Sequence, residues 1–186
     1  MSRGKLFVIS GASGVGKSTI LAKVIAARED LRFSVSATTR PPRPGEAEGV
    51  NYYFVTRDRF ERMIAENAFL EYDSHMGSYY GTPRDQLEDK LAVANVILDV
   101  EPKGAANVRR KCPDAKLIFV APRSMEELER RLRGRGDTSE EQVRLRLKRA
   151  EWEMGQSRWY DHVVINQQVD QCAEEILKII AGYCGE

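Results

Sequence analysis

Near the N-terminus, Gly11-Ala12-Ser13-Gly14-Val15-Gly16-Lys17-Ser18 matches the pattern G-x-x-x-x-G-K-S/T at every fixed position. Glycines in such a loop let backbone N–H groups converge on phosphate oxygens, and a helix starting at the loop's end adds a favourable dipole. The lysine of this pattern reaches the β- and γ-phosphates, and the hydroxyl after it ligates Mg²⁺. The context is that of a phosphate site rather than a plain glycine turn. An apolar run at 6–9 precedes the loop, and Ile20, Leu21, Val24 and Ile25 follow it at helical spacing. Residues Gly11 through Thr19 therefore read as a nucleoside-triphosphate site, with Lys17 catalytic and Ser18 on the metal.

A second acid belongs beside such a loop. Val96-Ile97-Leu98-Asp99 is an apolar strand ending in a carboxylate, which makes Asp99 the candidate metal partner of Ser18. Asp99 and Glu101 project to one face if that strand runs on. The acceptor of the phosphoryl group is suggested by Thr38-Thr39-Arg40-Pro41-Pro42-Arg43, two arginines on a stiff, extended segment. Two planar guanidinium forks suit a dianionic monophosphate, and Tyr52 and Tyr80 offer phenolic donors to it. Phosphoryl transfer needs positioning and charge stabilisation more than a general base, so no base is assigned.

The elements that must position these residues read as α/β. The chain has 186 residues and is 42% hydrophobic, enough for one domain with its own core. Short apolar runs at 6–9, 96–100, 117–120 and 163–165 suit strands buried on both faces of a parallel sheet. Helices are predicted at 17–27, 103–111, 125–133, 140–156 and 172–181, and Ser139 to Gln142 has the spacing of a capping box. Residues 34–92 differ, with strand-like runs at 34–38, 52–55, 69–73 and 78–80 that predict a small β-rich insertion. Gly134-Arg135-Gly136-Asp137, between two arginine-rich helices, predicts a segment able to move.

Several function classes are disfavoured. With 29 basic and 28 acidic residues, the near-neutral balance gives no support to a nucleic-acid partner. No apolar run has the length of a membrane span, and the first ten residues lack the apolar stretch of a signal peptide. Cys112, Cys172 and Cys184 are odd in number and widely spaced, which predicts a reducing, cytoplasmic setting. His75 and His162 have no metal-ligand spacing, so a zinc enzyme or a Ser-His-Asp hydrolase is not indicated. Monomer and homodimer both stand.

From residue 6 to about 183 the chain resembles the guanylate kinases, which move a phosphoryl group from ATP to GMP. The most specific stretch is Thr38-Thr39-Arg40 through Arg43, Glu46, Gly49 and Tyr52-Tyr53-Phe54-Val55. Phe69-Leu70-Glu71-Tyr72, Ser78-Tyr79-Tyr80-Gly81-Thr82, the run from Arg131 to Gly136 and Val164-Ile165-Asn166 also look like family segments. The resemblance implies a nucleoside monophosphate kinase fold: a parallel sheet core at about 1–33, 93–123 and 150–186, a GMP-binding insertion at about 34–92, and a helical lid at about 124–149.

It also implies roles. Residues matching Arg40, Arg43, Tyr52 and Tyr80 hold the GMP phosphate, with Arg40 counted as catalytic. Those matching Ser36, Glu71 and Thr82 read the base. An acid is the right reader, because guanine offers two adjacent donors, N1–H and the 2-amino group, where adenine presents an acceptor. Arg135 and Arg146 correspond to lid arginines that close over the transferring phosphate, and Asn166 to a residue near the adenine of ATP. Mg²⁺ is the implied cofactor, and GMP and dGMP the implied acceptors.

Two places depart from the family pattern. Val100-Glu101-Pro102-Lys103-Gly104 stands where a short residue, Asp and Trp-Gln-Gly are common, so Glu101 carries the charge near the GMP base or the metal on a longer arm. Gln167-Gln168 stands where acids usually follow Asn166. A kinase for another phosphorylated acceptor would not need the Glu71 region, and a non-catalytic scaffold module would usually lack Lys17.

Overall fold

The computed structural model describes residues 3–75, 77–134 and 139–185. In chain order the first elements are β1 (Leu6–Gly11), α1 (Lys17–Ala26), β2 (Leu31–Phe33), β3 (Ala37–Thr38) and β4 (Tyr53–Phe54). There follow α2 (Arg57–Ala65), β5 (Phe69–His75), β6 (Ser78–Pro83), α3 (Arg84–Leu91), β7 (Asn95–Asp99) and α4 (Pro102–Lys111). The rest are β8 (Lys116–Pro122), α5 (Met125–Arg133), α6 (Glu140–Gln156), β9 (His162–Asn166) and α7 (Val169–Cys184). The architecture is α/β, with parallel strands flanked by helices. It divides into two compact units: Met1–Leu6 with Asp30–Ala115, and Phe7–Glu29 with Lys116–Glu186.

In the second unit, β1, β8 and β9 run parallel, with Val8 opposite Leu117 and Val120 opposite Val164. β1 is buried at every position and β8 at all but its first. Such continuous runs are what strands covered on both faces require. β9 instead alternates, burying Val164 and Asn166 while Val163 and Ile165 face outward. α1 buries Ile20, Leu21 and Val24, and α7 buries Cys172, Ala173, Ile176 and Ile180; these helices pack on one another. Serine hydroxyls cap α5 and α6: Ser124 accepts from the Glu127 N–H at 3.2 Å and Ser139 from Gln142 at 3.3 Å.

In the first unit, β2 and β7 pair in parallel, and a four-stranded sheet runs in the order β4-β3-β6-β5. The β5–β6 hairpin is antiparallel and sets Glu71 directly opposite Thr82. Phe60 of α2 stacks between Phe69 and Tyr79, with ring centroids 4.3 and 5.1 Å away, and this fastens α2 to the sheet.

The expected α5 and α6 coincide with the observed ones, and α1 and α4 differ by one residue at an end. Residues 34–92 depart from a mostly β segment, since they also carry α2 and α3. Within them only Ala37–Thr38 of the run 34–38 and Tyr53–Phe54 of the run 52–55 are strand. Among the described residues no helix is long and apolar enough to cross a membrane, and the three cysteines are free thiols.

Candidate active site

In the second unit the phosphate loop leaves β1 at Gly11 and enters α1 at Lys17. Gly14 and Gly16 sit at φ 88° and 93°, backbone that an L-residue seldom adopts. A Cβ at Gly11 would also lie 2.7 Å from the Val120 carbonyl oxygen. No side chain caps α1 and its first turn carries no acid, so no carboxylate of that turn competes with an anion. Lys17 is half-buried at the helix start, while Ser18 and Thr19 are exposed.

The loop is braced by residues from the far end of the chain. Asn166, 1% exposed at the end of β9, donates from Nδ2 to the Val15 carbonyl oxygen at 2.7 Å. Arg131 of α5 donates to the same oxygen at 3.4 Å and is ion-paired with Glu127. The buried Oδ1 of Asn166 has no hydrogen-bond partner among the described residues. Arg146 lies half-buried on α6. Arg135 lies outside the described residues.

Of the expected phosphate-binding residues, the structure brings Arg40, Tyr52 and Tyr80 together. Arg40 meets Glu46 fork to fork, Nη1 to Oε2 at 2.9 Å and Nη2 to Oε1 at 2.8 Å. Its guanidinium lies 5.3 Å over the Tyr52 ring, and Tyr52 meets Tyr80 edge-on at 5.9 Å. Glu46 also accepts from the Arg43 backbone N–H at 2.8 Å. The Arg40 guanidinium, helped by that N–H, holds the Glu46 carboxyl down at about 2, and Glu46 in turn raises the Arg40 pKa further. Burial, then the nearby charges of Asp99 and Tyr80, push the Tyr52 phenol up. Arg43 itself is exposed to solvent. In sequence Glu46 is one letter of a signature; its place as the partner that aligns Arg40 becomes visible only in the folded Pro-rich turn.

Of the base-reading candidates, Glu71 and Thr82 come together. Glu71 is 5% exposed, and the Thr82 hydroxyl donates to its Oε1 at 2.6 Å. Burial raises the Glu71 carboxyl to about 6, the Thr82 hydrogen bonds pull it down, Asp73 pushes it up and Lys111 lowers it. Lys111 donates its ammonium to the Leu70 carbonyl oxygen at 2.5 Å. Gly104, in the first turn of α4, lets the carboxylate come close, because a Cβ there would lie 2.7 Å from Glu71 Oε2. Ser36 is half-buried just before β3, and Asp99 half-buried at the end of β7. Glu101 is exposed at the N-cap of α4.

The family model described as guanylate kinase matches residues 3–183. A guanylate kinase of Thermus thermophilus is 48% identical over 181 residues, covering 97% of this chain and 82% of that protein. One from Fusobacterium nucleatum is 44% identical over 181 residues, 97% of both chains. Among solved structures, the crystal structure of guanylate kinase from Anaplasma phagocytophilum superposes with a TM-score of 0.81 at 33% identity, covering 98% of this chain and 87% of that one.

Proposed function

The chain belongs to the guanylate kinase family, and from that premise we propose how its residues divide the reaction. The enzyme moves a phosphoryl group from ATP to GMP, giving ADP and GDP. On the donor side, residues Gly11 to Thr19 cradle the triphosphate, with Lys17 on the β- and γ-phosphates and Asn166 toward the adenine. Ser18 and Asp99 would each offer Mg²⁺ the hard oxygen donor this ion prefers, a hydroxyl at the start of α1 and a carboxylate at the end of β7. When bound, the ion draws charge off the phosphate oxygens.

On the acceptor side, Arg40, Arg43, Tyr52 and Tyr80 hold the monophosphate, and Glu46 keeps the Arg40 fork aligned so that little side-chain entropy remains to be lost. Glu71, with Ser36, Thr82 and Glu101, reads the base. Arg135 and Arg146 close over the transferring group and offset the charge that develops on it. In this division the segment at about 34–92 is the GMP-binding insertion, that at about 124–149 the lid, and the remainder the core of a single domain. The contacts assigned go to phosphate and base, so dGMP is accepted as well. Three free thiols suit a cytoplasmic enzyme.

The observation that carries the acceptor reading is Glu71, a carboxylate only 5% exposed, with a threonine hydroxyl on one oxygen. Its remaining acceptor capacity suits a base that offers two adjacent donors. A site built to hydrogen-bond its ligand rejects an analogue with the wrong polar edge by about 10⁴-fold. An ADP-release assay with MgATP and GMP, dGMP, AMP, CMP or UMP tests this. Turnover with GMP and dGMP alone is expected; AMP turnover within about tenfold of GMP would remove Glu71 as the reader.

A further inference from the structure

Glu153, far along the chain from the phosphate loop, holds one of its amides. It is 2% exposed on α6, and its Oε2 accepts a 2.6 Å hydrogen bond from the Ser13 backbone N–H. Its Oε1 accepts from Arg149 Nε, one turn earlier on the helix, at 2.9 Å. A carboxylate this deep is costly to bury unless it is paired and hydrogen-bonded. It shares the buried face of α6 with Val143 and Ala150, where an apolar side chain would pack without that cost. Burial alone therefore gives no reason for an acid at this position, and the Ser13 N–H does.

The neighbouring loop groups are committed in the same way. The Ala12 N–H donates to the Val120 carbonyl at 3.2 Å and the Val15 N–H to the Ala12 carbonyl at 3.0 Å. Asn166 and Arg131 meet the Val15 carbonyl. Partners on β8, α5, α6 and β9 thus fix residues 12–15, which leaves little ordering to be done when an anion arrives. Glu153 also constrains α6. Arg146 lies seven residues before it, two helical turns, so both project from one side of the helix.

We propose that Glu153, charge-balanced by Arg149, is a positioning residue that holds the phosphate loop in its anion-binding shape and fixes the roll of the helix carrying Arg146. The proposal rests on reading residues 11–18 as the triphosphate site. Glu153 acts through the Ser13 N–H and does not touch the substrate. Arg149 plays a different part, since losing its guanidinium would put more negative charge against a loop that must accept a polyanion.

Steady-state kinetics of the full chain, with calorimetric titration of ATP, test this. Glu153→Ala is expected to raise both KM and Kd for ATP about tenfold, the scale of a hydrogen bond to a charged group, with KM for GMP changed less than about twofold. Glu153→Gln keeps a carbonyl acceptor for the Ser13 N–H and recovers most of the affinity. Arg149→Met weakens ATP binding, and adding Glu153→Gln to it restores binding by removing that negative charge. Such rescue is not expected of two changes that merely loosen the helix. If Glu153→Ala does not fold, the Arg149→Met pair of variants carries the test.

Unchanged ATP affinity in Glu153→Ala, equal shifts in KM for ATP and GMP, or no rescue in the double variant would each overturn the proposal. Lys17→Ala separates the two levels. If it also leaves ATP binding intact, the phosphate-loop reading itself has failed. If it abolishes binding while Glu153→Ala does not, only the role of Glu153 falls.

Discussion

Among the described residues two carboxylates are buried, one in each unit, and they are satisfied in opposite ways. Glu153 has a guanidinium on one oxygen and a backbone amide on the other. Glu71 has the Thr82 hydroxyl, while the ammonium of Lys111 is spent on the Leu70 carbonyl. Burial consequently lifts the Glu71 carboxyl to about 6. An acid whose role ends inside the protein is neutralised there. An acid that must recognise a ligand is left under-compensated, so that the ligand's own donors complete it.

The sharpest way to break that contrast is to neutralise Glu71. Glu71→Gln presents an N–H group where guanine needs a second acceptor. Its kcat/KM for GMP is expected to fall about 10²-fold, with KM for ATP within about twofold of the parent enzyme. An unchanged KM for GMP would leave Glu71 with no part in base recognition and make the two buried acids alike.

A smaller effect follows from the same carboxyl without any ligand. It titrates near 4.5 when exposed and at about 6 in the folded chain. Between those values the folded state binds more protons than the unfolded one. Glu71 therefore lowers stability as pH rises through that window, by about 2 kcal/mol once it is fully ionised. Glu71→Gln removes the penalty. Urea unfolding at pH 4.5 and 7.5 should show the variant gaining about 1.5 kcal/mol on the parent between the two. A pH-independent difference would mean that Glu71 is compensated as fully as Glu153.

The two units also differ in how much their sequence reveals. In the second unit, α5 and α6 are legible because serine caps and apolar spacing agree. α7 runs longer than the expected 172–181 at both ends: it starts at Val169, passes through Gly182 and is capped by Gly185, φ 81°. In the first unit, α2 gives little signal: it buries only Phe60, and its Thr56 cap is the one strong local cue. The strands β3 and β4 are two residues long, too short for alternation to register.

The same divide runs through the sites. Phosphate-loop residues are contiguous, so their pattern alone exposes them. Glu153 is 140 residues from Ser13 and, in sequence, is an ordinary i,i+4 partner of Arg149, the pattern of a solvated helix face. Glu46 and Gly104 likewise gain meaning only from what the fold brings beside them.

Gly104 supplies the smallest and most discriminating change. A Cβ there would lie 2.7 Å from Glu71 Oε2 and 3.1 Å from Val100 Cβ, so the carboxylate, the far end of a flexible side chain, must yield first. Alanine is otherwise welcome in the first turn of α4, since replacing a helical glycine typically gains up to about 1 kcal/mol. Gly104→Ala should therefore leave the melting temperature unchanged or raised while KM for GMP increases about five- to tenfold, the scale of one displaced hydrogen bond. KM for ATP should stay put, as it does for Glu71→Gln and does not for Glu153→Ala. A fall in stability together with equal losses for both substrates would show that the glycine serves packing alone. Opposite signs in stability and GMP affinity would show that space at residue 104 is kept for the carboxylate.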